Sequence, residues 1–379
     1  MSSLIETEAG LPARAVVDLA AIRHNVGLLR AHAPGAETLV AVKADGYGHG
    51  LVASAQAALE AGAARIGTAV LQEAFALREA GVTAPILTWL IPPDAPLRQA
   101  IELDVELSAA APWLLDAVAA AAGEAGRAAR VHLKVDTGMS RGGAGLAEWP
   151  DLVDRALAVQ AEGAVEIVGL WSHLACADIP GHPMIEAQLA AFNEALHIAE
   201  KKGAAGSHVI RHIANSAATL TLPEARYDMV RVGIAAYGLT PIPEQDFGLV
   251  PAMTLMAQVA LTKRVPEGSG VSYGHVHVTD RETTLGLVPL GYADGVLRHA
   301  GGRAEVLAAG RRRTIAGRVC MDQFVIDVGD DALVAGDEVV LFGPGHGGEP
   351  TAQEWADILG TISHEIVTRI GFRVPRVYR

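Results

Sequence analysis

The chain has 379 residues, 50% of them hydrophobic and 19% charged, which excludes a disordered polymer and leaves room for roughly two to three domains. A formal net charge of −13 excludes the basic footprint of a nucleic-acid binder. The two cysteines, Cys176 and Cys320, form no CxxC pair, and the start MSSLIETEAG has neither the basic nor the apolar stretch of a secretory signal, so a cytoplasmic protein is expected.

In chain order, short apolar runs alternate with stretches of helical spacing from residue 17 to about 239. The expected strands are 38–44, 65–70, 85–90, 105–109, 130–136, 165–173, 208–215 and 228–234. Between them, LQEAFALREAG (71–81) and EAQLAAFNEALHIAEKK (186–202) read as helices closed by Gly81 and Gly203. The most membrane-like run, LSAAAPWLL (107–115), is broken by Asp116 and falls far short of a span of about 20 residues. Eight strands alternating with helices predict a (β/α)8 TIM barrel, with an open doubly wound sheet as the alternative. The segment TPIPEQDFG (240–248) reads as a linker, and turn signals at short intervals then predict a mainly β C-terminal domain with one helical stretch, 351–370. The expected division is 12–240 for the barrel and 249–379 for the β domain, with residues 1–11 free to join the latter.

Charges on these apolar strands need a partner, because an unpaired buried charge costs several kcal/mol. Lys43 follows the apolar run 39–42, and Lys134, His173 and Arg231 stand near the ends of three other strands. The C-terminal ends of barrel strands are where active sites are built. Each residue also has a plainer reading: a snorkelling lysine for Lys134, a core histidine for His173, an ion pair with Asp228 for Arg231. Together they call for an anionic occupant. Asn215 and Ser216 follow the seventh strand and Gly233 the eighth, the usual place for phosphate in a barrel, although either polar side chain could equally cap a helix. A lysine beside a phosphate site points to pyridoxal 5′-phosphate, held through Lys43.

The motifs AVKADGYGHG, HLKVDTGMSR, GLWSHLACAD, HIANSAATL, VRVGIAAYG, VSYG, GYADG and GRVCMDQF resemble those of the alanine racemase family over essentially the whole chain. The resemblance implies interconversion of L- and D-alanine by two-base proton transfer on a pyridoxal-phosphate adduct, supplying D-alanine for peptidoglycan. It implies Lys43 and Tyr273 as the bases, and Arg141 with the Met321 backbone as the carboxylate site. Tyr47, Ser216, Gly233 and Ile234, with Asn215 beside them, would hold the phosphate. Arg231 would face the pyridine nitrogen, with His173 bridging it to Tyr273. Lys134 would be a lysine open to carbamylation that orients Arg141. Asp322, Tyr292 and Arg318 would shape the entry. It further implies a homodimer in which Tyr273 and Met321 act in the partner's site, a small amino-acid substrate, and neither nucleic acid nor membrane as partner. A broader-specificity racemase or a barrel-type decarboxylase is the alternative. Phe372 stands where many members carry a phosphate-binding tyrosine.

Overall fold

The computed structural model describes residues 10–379. These divide into two compact units: 22–46 with 51–249, and 10–21 with 47–50 and 250–379. The first nine strands are β1 (Ala13–Val17), β2 (Glu37–Ala41), β3 (Arg65–Thr68), β4 (Ile86–Thr88), β5 (Val105–Ala109), β6 (Ala129–Lys134), β7 (Val165–Trp171), β8 (Ile210–His212) and β9 (Met229–Val232).

Strands β2 to β9 form one parallel sheet in the order β8-β7-β6-β5-β4-β3-β2-β9. Its two edges meet: the Asp228 N–H donates to the Arg211 carbonyl at 3.1 Å and the Arg231 N–H to the Ala214 carbonyl at 2.9 Å. The result is a (β/α)8 barrel. The helix Pro112–Ala125 shows how the crossovers form. Pro112 sits in its first turn, where no N–H is needed, Leu114, Leu115, Val118, Ala121 and Ala122 give it one buried stripe, and left-handed Gly126 (φ 67°) ends it.

Cross-strand register stacks the barrel interior in rows. Ser108 lies beside His132 and His132 beside Gly169; Lys134 lies beside Trp171 and Trp171 beside His212. Gly169 is a packing requirement, because a Cβ there would run into the His132 ring.

The second unit carries a nine-stranded sheet in which β1 pairs antiparallel with Met253–Gln258 and parallel with Arg376–Tyr378. Residues 13–17, expected with the barrel, therefore belong to this sheet: buried Ala13, Ala15 and Val17 supply a strand with two ready partners. Of the N-terminal residues 1–11, only 10 and 11 fall within the described residues. Two further expectations change. The helical stretch 351–370 is two helices, Ala352–Leu359 and Ser363–Thr368, because Gly360 adopts a left-handed conformation (φ 71°) and closes the first. The strand predicted to run through Lys43 ends at Ala41, and Ala44, Asp45, Gly46 and Tyr47 wind left-handed with φ between 52° and 62°.

Candidate active site

The barrel unit sets two cations against one indole. Lys134 Nζ lies 4.4 Å from the centre of the Trp171 ring and Arg231 Cζ 4.7 Å from it. The His212 ring stacks on the same indole, centroids 5.6 Å apart and planes 9° apart. Trp171 is held in place by its own N–H, which donates to Ser108 Oγ at 3.1 Å.

Arg231 is buried and its terminal nitrogens are fully engaged. Nη1 donates to His212 Nδ1 at 3.0 Å. Nη2 faces the Ser172 carbonyl at 2.7 Å, His173 Nδ1 at 3.1 Å and the Ile213 carbonyl at 3.3 Å. Burial pulls this guanidinium below the ordinary arginine range, yet four acceptors stabilise its charged form. The ion pair with Asp228 that sequence allowed is not made: Asp228 pairs with Arg211, Oδ2 to Nε at 2.7 Å and Oδ1 to Nη2 at 2.8 Å.

The electrostatics place five groups at one mouth. His173 is held well below the ordinary histidine range by burial, then by Arg231, Arg141, Lys134 and Lys43 in that order. Lys134 falls to about 8 through burial and the charges of Arg231 and Arg141, with Asp136 opposing. Lys43 is also lowered, by burial and Arg141, against the pull of Glu73. The Arg141 loop is built by Asp136, whose Oδ1 accepts the N–H groups of Gly138, Met139 and Ser140 at 2.9, 2.9 and 3.2 Å.

Beyond β8 and β9, two backbone N–H groups converge on Ser216 Oγ, Gly233 at 2.8 Å and Ala235 at 3.4 Å. Ile234 is buried in the 3₁₀ turn that follows Gly233. Asn215 uses its side-chain oxygen as a helix cap, accepting from the Ala218 N–H at 3.0 Å. That is the capping role the sequence left open, and it engages the side-chain oxygen rather than the amide N–H₂ that could donate to a phosphate.

The remaining candidates lie in the other unit and form a cluster of loops there. Tyr47 is buried, its ring centre 6.3 Å from that of His364. Tyr273 opens a 3₁₀ turn and is 70% exposed; Met321 is 53% exposed and Tyr292 41%. Ser272 Oγ donates to the Arg318 carbonyl at 2.7 Å, tying the Tyr273 turn to residue 318. The N–H groups of Tyr292 and Ala293 donate to the carbonyls of Cys320 and Met321 at 3.0 and 2.9 Å. Asp322 pairs with Arg373, Oδ1 to Nη1 at 2.8 Å. Phe372 is 95% exposed.

Four residues were missed by sequence reading: Trp171 as a platform, Glu73, His212 and Glu106. Glu106 carries the same signal that singled out Lys43, a charge inside an apolar strand.

A half-buried primary amine, a buried charged guanidinium, and N–H groups beside a serine hydroxyl form a donor set that suits a phosphorylated aromatic aldehyde. Among the described residues, no helix is long and apolar enough to cross a membrane.

Known proteins of one family match the chain over nearly its whole length. The model of the alanine racemase N-terminal domain matches residues 17–241, and that of the C-terminal domain matches 252–378. The alanine racemase of Frankia casuarinae is 57% identical over 385 residues, covering 99% of this chain and all of its own. That of Thermobifida fusca is 58% identical over 368 residues, 97% of this chain and 98% of its own. The crystal structure of alanine racemase from D-cycloserine-producing Streptomyces lavendulae superposes with a TM-score of 0.96 at 54% identity, covering 98% of each chain.

Proposed function

The chain belongs to the alanine racemase family, and from that premise we propose that it interconverts L- and D-alanine with Lys43 and the partner subunit's Tyr273 as the two bases. Family membership implies pyridoxal 5′-phosphate as cofactor. When bound, that group supplies an aldehyde carbon that captures amines and a ring that draws electron density from the substrate's α-carbon.

The observation that carries the reading is the grouping of Lys134 and Arg231 on the Trp171 ring with His173 against Arg231, where the charges of Arg141 and Lys43 also bear on His173. Burial and the neighbouring Arg141 lower the proton affinity of Lys43, so its amine is free to accept a proton nearer neutral pH than an ordinary lysine. Tyr273 delivers or accepts the proton on the opposite face, and the roles exchange in the reverse direction. Each positioned base contributes roughly 10²–10⁴-fold. Arg141, a planar two-pronged donor, takes the substrate carboxylate, with the Met321 backbone N–H from the partner completing that site. Ser216 and the backbone at Gly233 and Ile234 take the phosphate. Asp322, Tyr292 and Arg318 shape the approach. The enzyme works as a cytoplasmic homodimer and provides D-alanine for peptidoglycan.

Arg231 also selects the reaction. A carboxylate facing the pyridine nitrogen would keep it protonated and favour decarboxylation or transamination; a guanidinium disfavours that proton and leaves the α-carbon quick to be reprotonated. This weighs against the decarboxylase reading. The test is loss of optical rotation from L-alanine by protein reconstituted with pyridoxal phosphate. Retained rotation, or release of carbon dioxide, would refute the assignment.

A further inference from the structure

Below Arg231 the barrel wall holds three fully buried groups that the proposed proton transfers do not touch: Glu106, His132 and His212. They form an unbroken chain. His212 Nδ1 meets Arg231 Nη1 at 3.0 Å, His212 Nε2 meets His132 Nδ1 at 2.9 Å, and His132 Nε2 meets Glu106 Oε2 at 3.0 Å. Glu106 is fixed in turn by Arg65 Nη1, at 2.6 and 2.8 Å to its two oxygens, and by Arg130 Nη2 at 2.7 Å.

Only one proton arrangement satisfies this chain. A guanidinium donates and never accepts. His212 Nδ1 is therefore bare and its proton sits on Nε2. That N–H donates to His132, whose Nδ1 is then bare and whose Nε2–H donates to the Glu106 carboxylate. A second proton on either ring would set two N–H groups against each other. Both rings are held below the ordinary histidine range, with burial the leading cause in each. On the other arm, Arg231 Nη2 approaches His173 Nδ1 at 3.1 Å, which places the His173 proton on Nε2 as well. Both terminal nitrogens of Arg231 are thus taken, and its Nε makes no hydrogen bond among the described residues.

We propose that Glu106 is a remote positioning residue: its carboxylate sets the direction of a one-way donor chain, Arg231 to His212 to His132 to Glu106, which fixes the plane of the guanidinium and reserves Nε for the pyridine nitrogen. The proposal rests on the assignment of Arg231 to that nitrogen made above; the direction of the chain does not. Glu106→Gln provides the perturbation with least change of shape. Arg65 and Arg130 claim the amide oxygen, so the amide N–H₂ turns to His132 Nε2. His132 must then carry its proton on Nδ1, His212 must follow, and a His212 Nδ1–H meets Arg231 Nη1–H.

The experiment is ¹⁵N-histidine NMR of the full-length protein with and without pyridoxal phosphate, together with the ratio of transamination to racemisation in the loaded enzyme. Wild type is expected to show His132, His212 and His173 as Nε2–H tautomers. Glu106→Gln is expected to move His132 and His212 to Nδ1–H and raise the transamination ratio at least fivefold, and Glu106→Asp to restore both. A wild-type His212 with its proton on Nδ1, or unchanged tautomers in Glu106→Gln, overturns the proposal; the wild-type spectrum decides even where the variant fails to fold. Inverted tautomers with an unchanged ratio also overturn it when Arg231→Lys alters the ratio. An unchanged ratio in both variants overturns the assignment of Arg231 itself, and the proposal with it.

Discussion

Glu73 Oε1 accepts the backbone N–H of Ala44 at 2.7 Å, one residue beyond Lys43. Its other oxygen accepts the N–H groups of Ala69 and Val70 at 2.9 and 3.3 Å. One carboxylate therefore ties the end of β3 to the start of a left-handed turn that includes the non-glycine residues Ala44, Asp45 and Tyr47. Such residues cost roughly 1–2 kcal/mol each in that conformation, so the turn persists because other bonds hold it. Asp45 Oδ1 adds one, accepting the Leu51 N–H at 2.8 Å.

Glu73→Ala removes all three acceptor contacts and the charge that supports protonated Lys43. The expected result is a fall in kcat of about tenfold, with the acidic limb of the pH–rate profile moved to lower pH. Glu73→Gln keeps the shape and half the acceptors, and should fall between. Steady-state rates across pH 6–10 check this; an unchanged profile in Glu73→Ala would show that the clamp does not act on Lys43.

Lys134 predicts a pH dependence of stability. Its amine titrates near 8 in the fold against an ordinary 10.5. Between these values the unfolded chain binds a proton the folded chain does not, so stability rises with pH through that window and is flat with respect to this group below it. Lys134→Met should flatten the rise, measured by urea unfolding at pH 8 and pH 10. The same lowered value leaves about a tenth of the amine neutral at pH 7, the form that combines with carbon dioxide. A carbamate carbon signal should appear in ¹³C NMR with labelled bicarbonate and vanish in Lys134→Met.

A shared site has a quantitative signature. Lys43→Ala and Tyr273→Phe subunits should each be nearly inactive alone. Mixed in equal amounts, half the dimers are hybrids and each hybrid has one intact site, so activity should recover to about a quarter of wild type. Recovery would be absent if Tyr273 served the site of its own chain.

Much of the barrel was legible because parallel buried strands are short, apolar and punctuated. VELSA marks a strand whose limits in the fold are the same, 105–109. Polar residues at strand ends pointed to the mouth for the same reason: Lys134 and Arg231 stand out against apolar neighbours. What stayed hidden depends on contacts across strands. Alternation puts His132 and Lys134 on one face, but only the register brings His132 to Gly169 and His212 to Trp171. The turn after Lys43 was hidden too, since nothing local marks Ala44 and Tyr47 for positive φ; Glu73, 29 residues from Ala44, supplies the bond. Asn215 illustrates a residue type with two uses, of which the fold takes the helix cap.

The most direct test of the two-base account is single-turnover exchange of the α-hydrogen of each alanine enantiomer in heavy water by Tyr273→Phe. The account predicts that exchange persists for one enantiomer, served by Lys43, and is lost for the other. Equal exchange of both enantiomers, or equal loss, would contradict it.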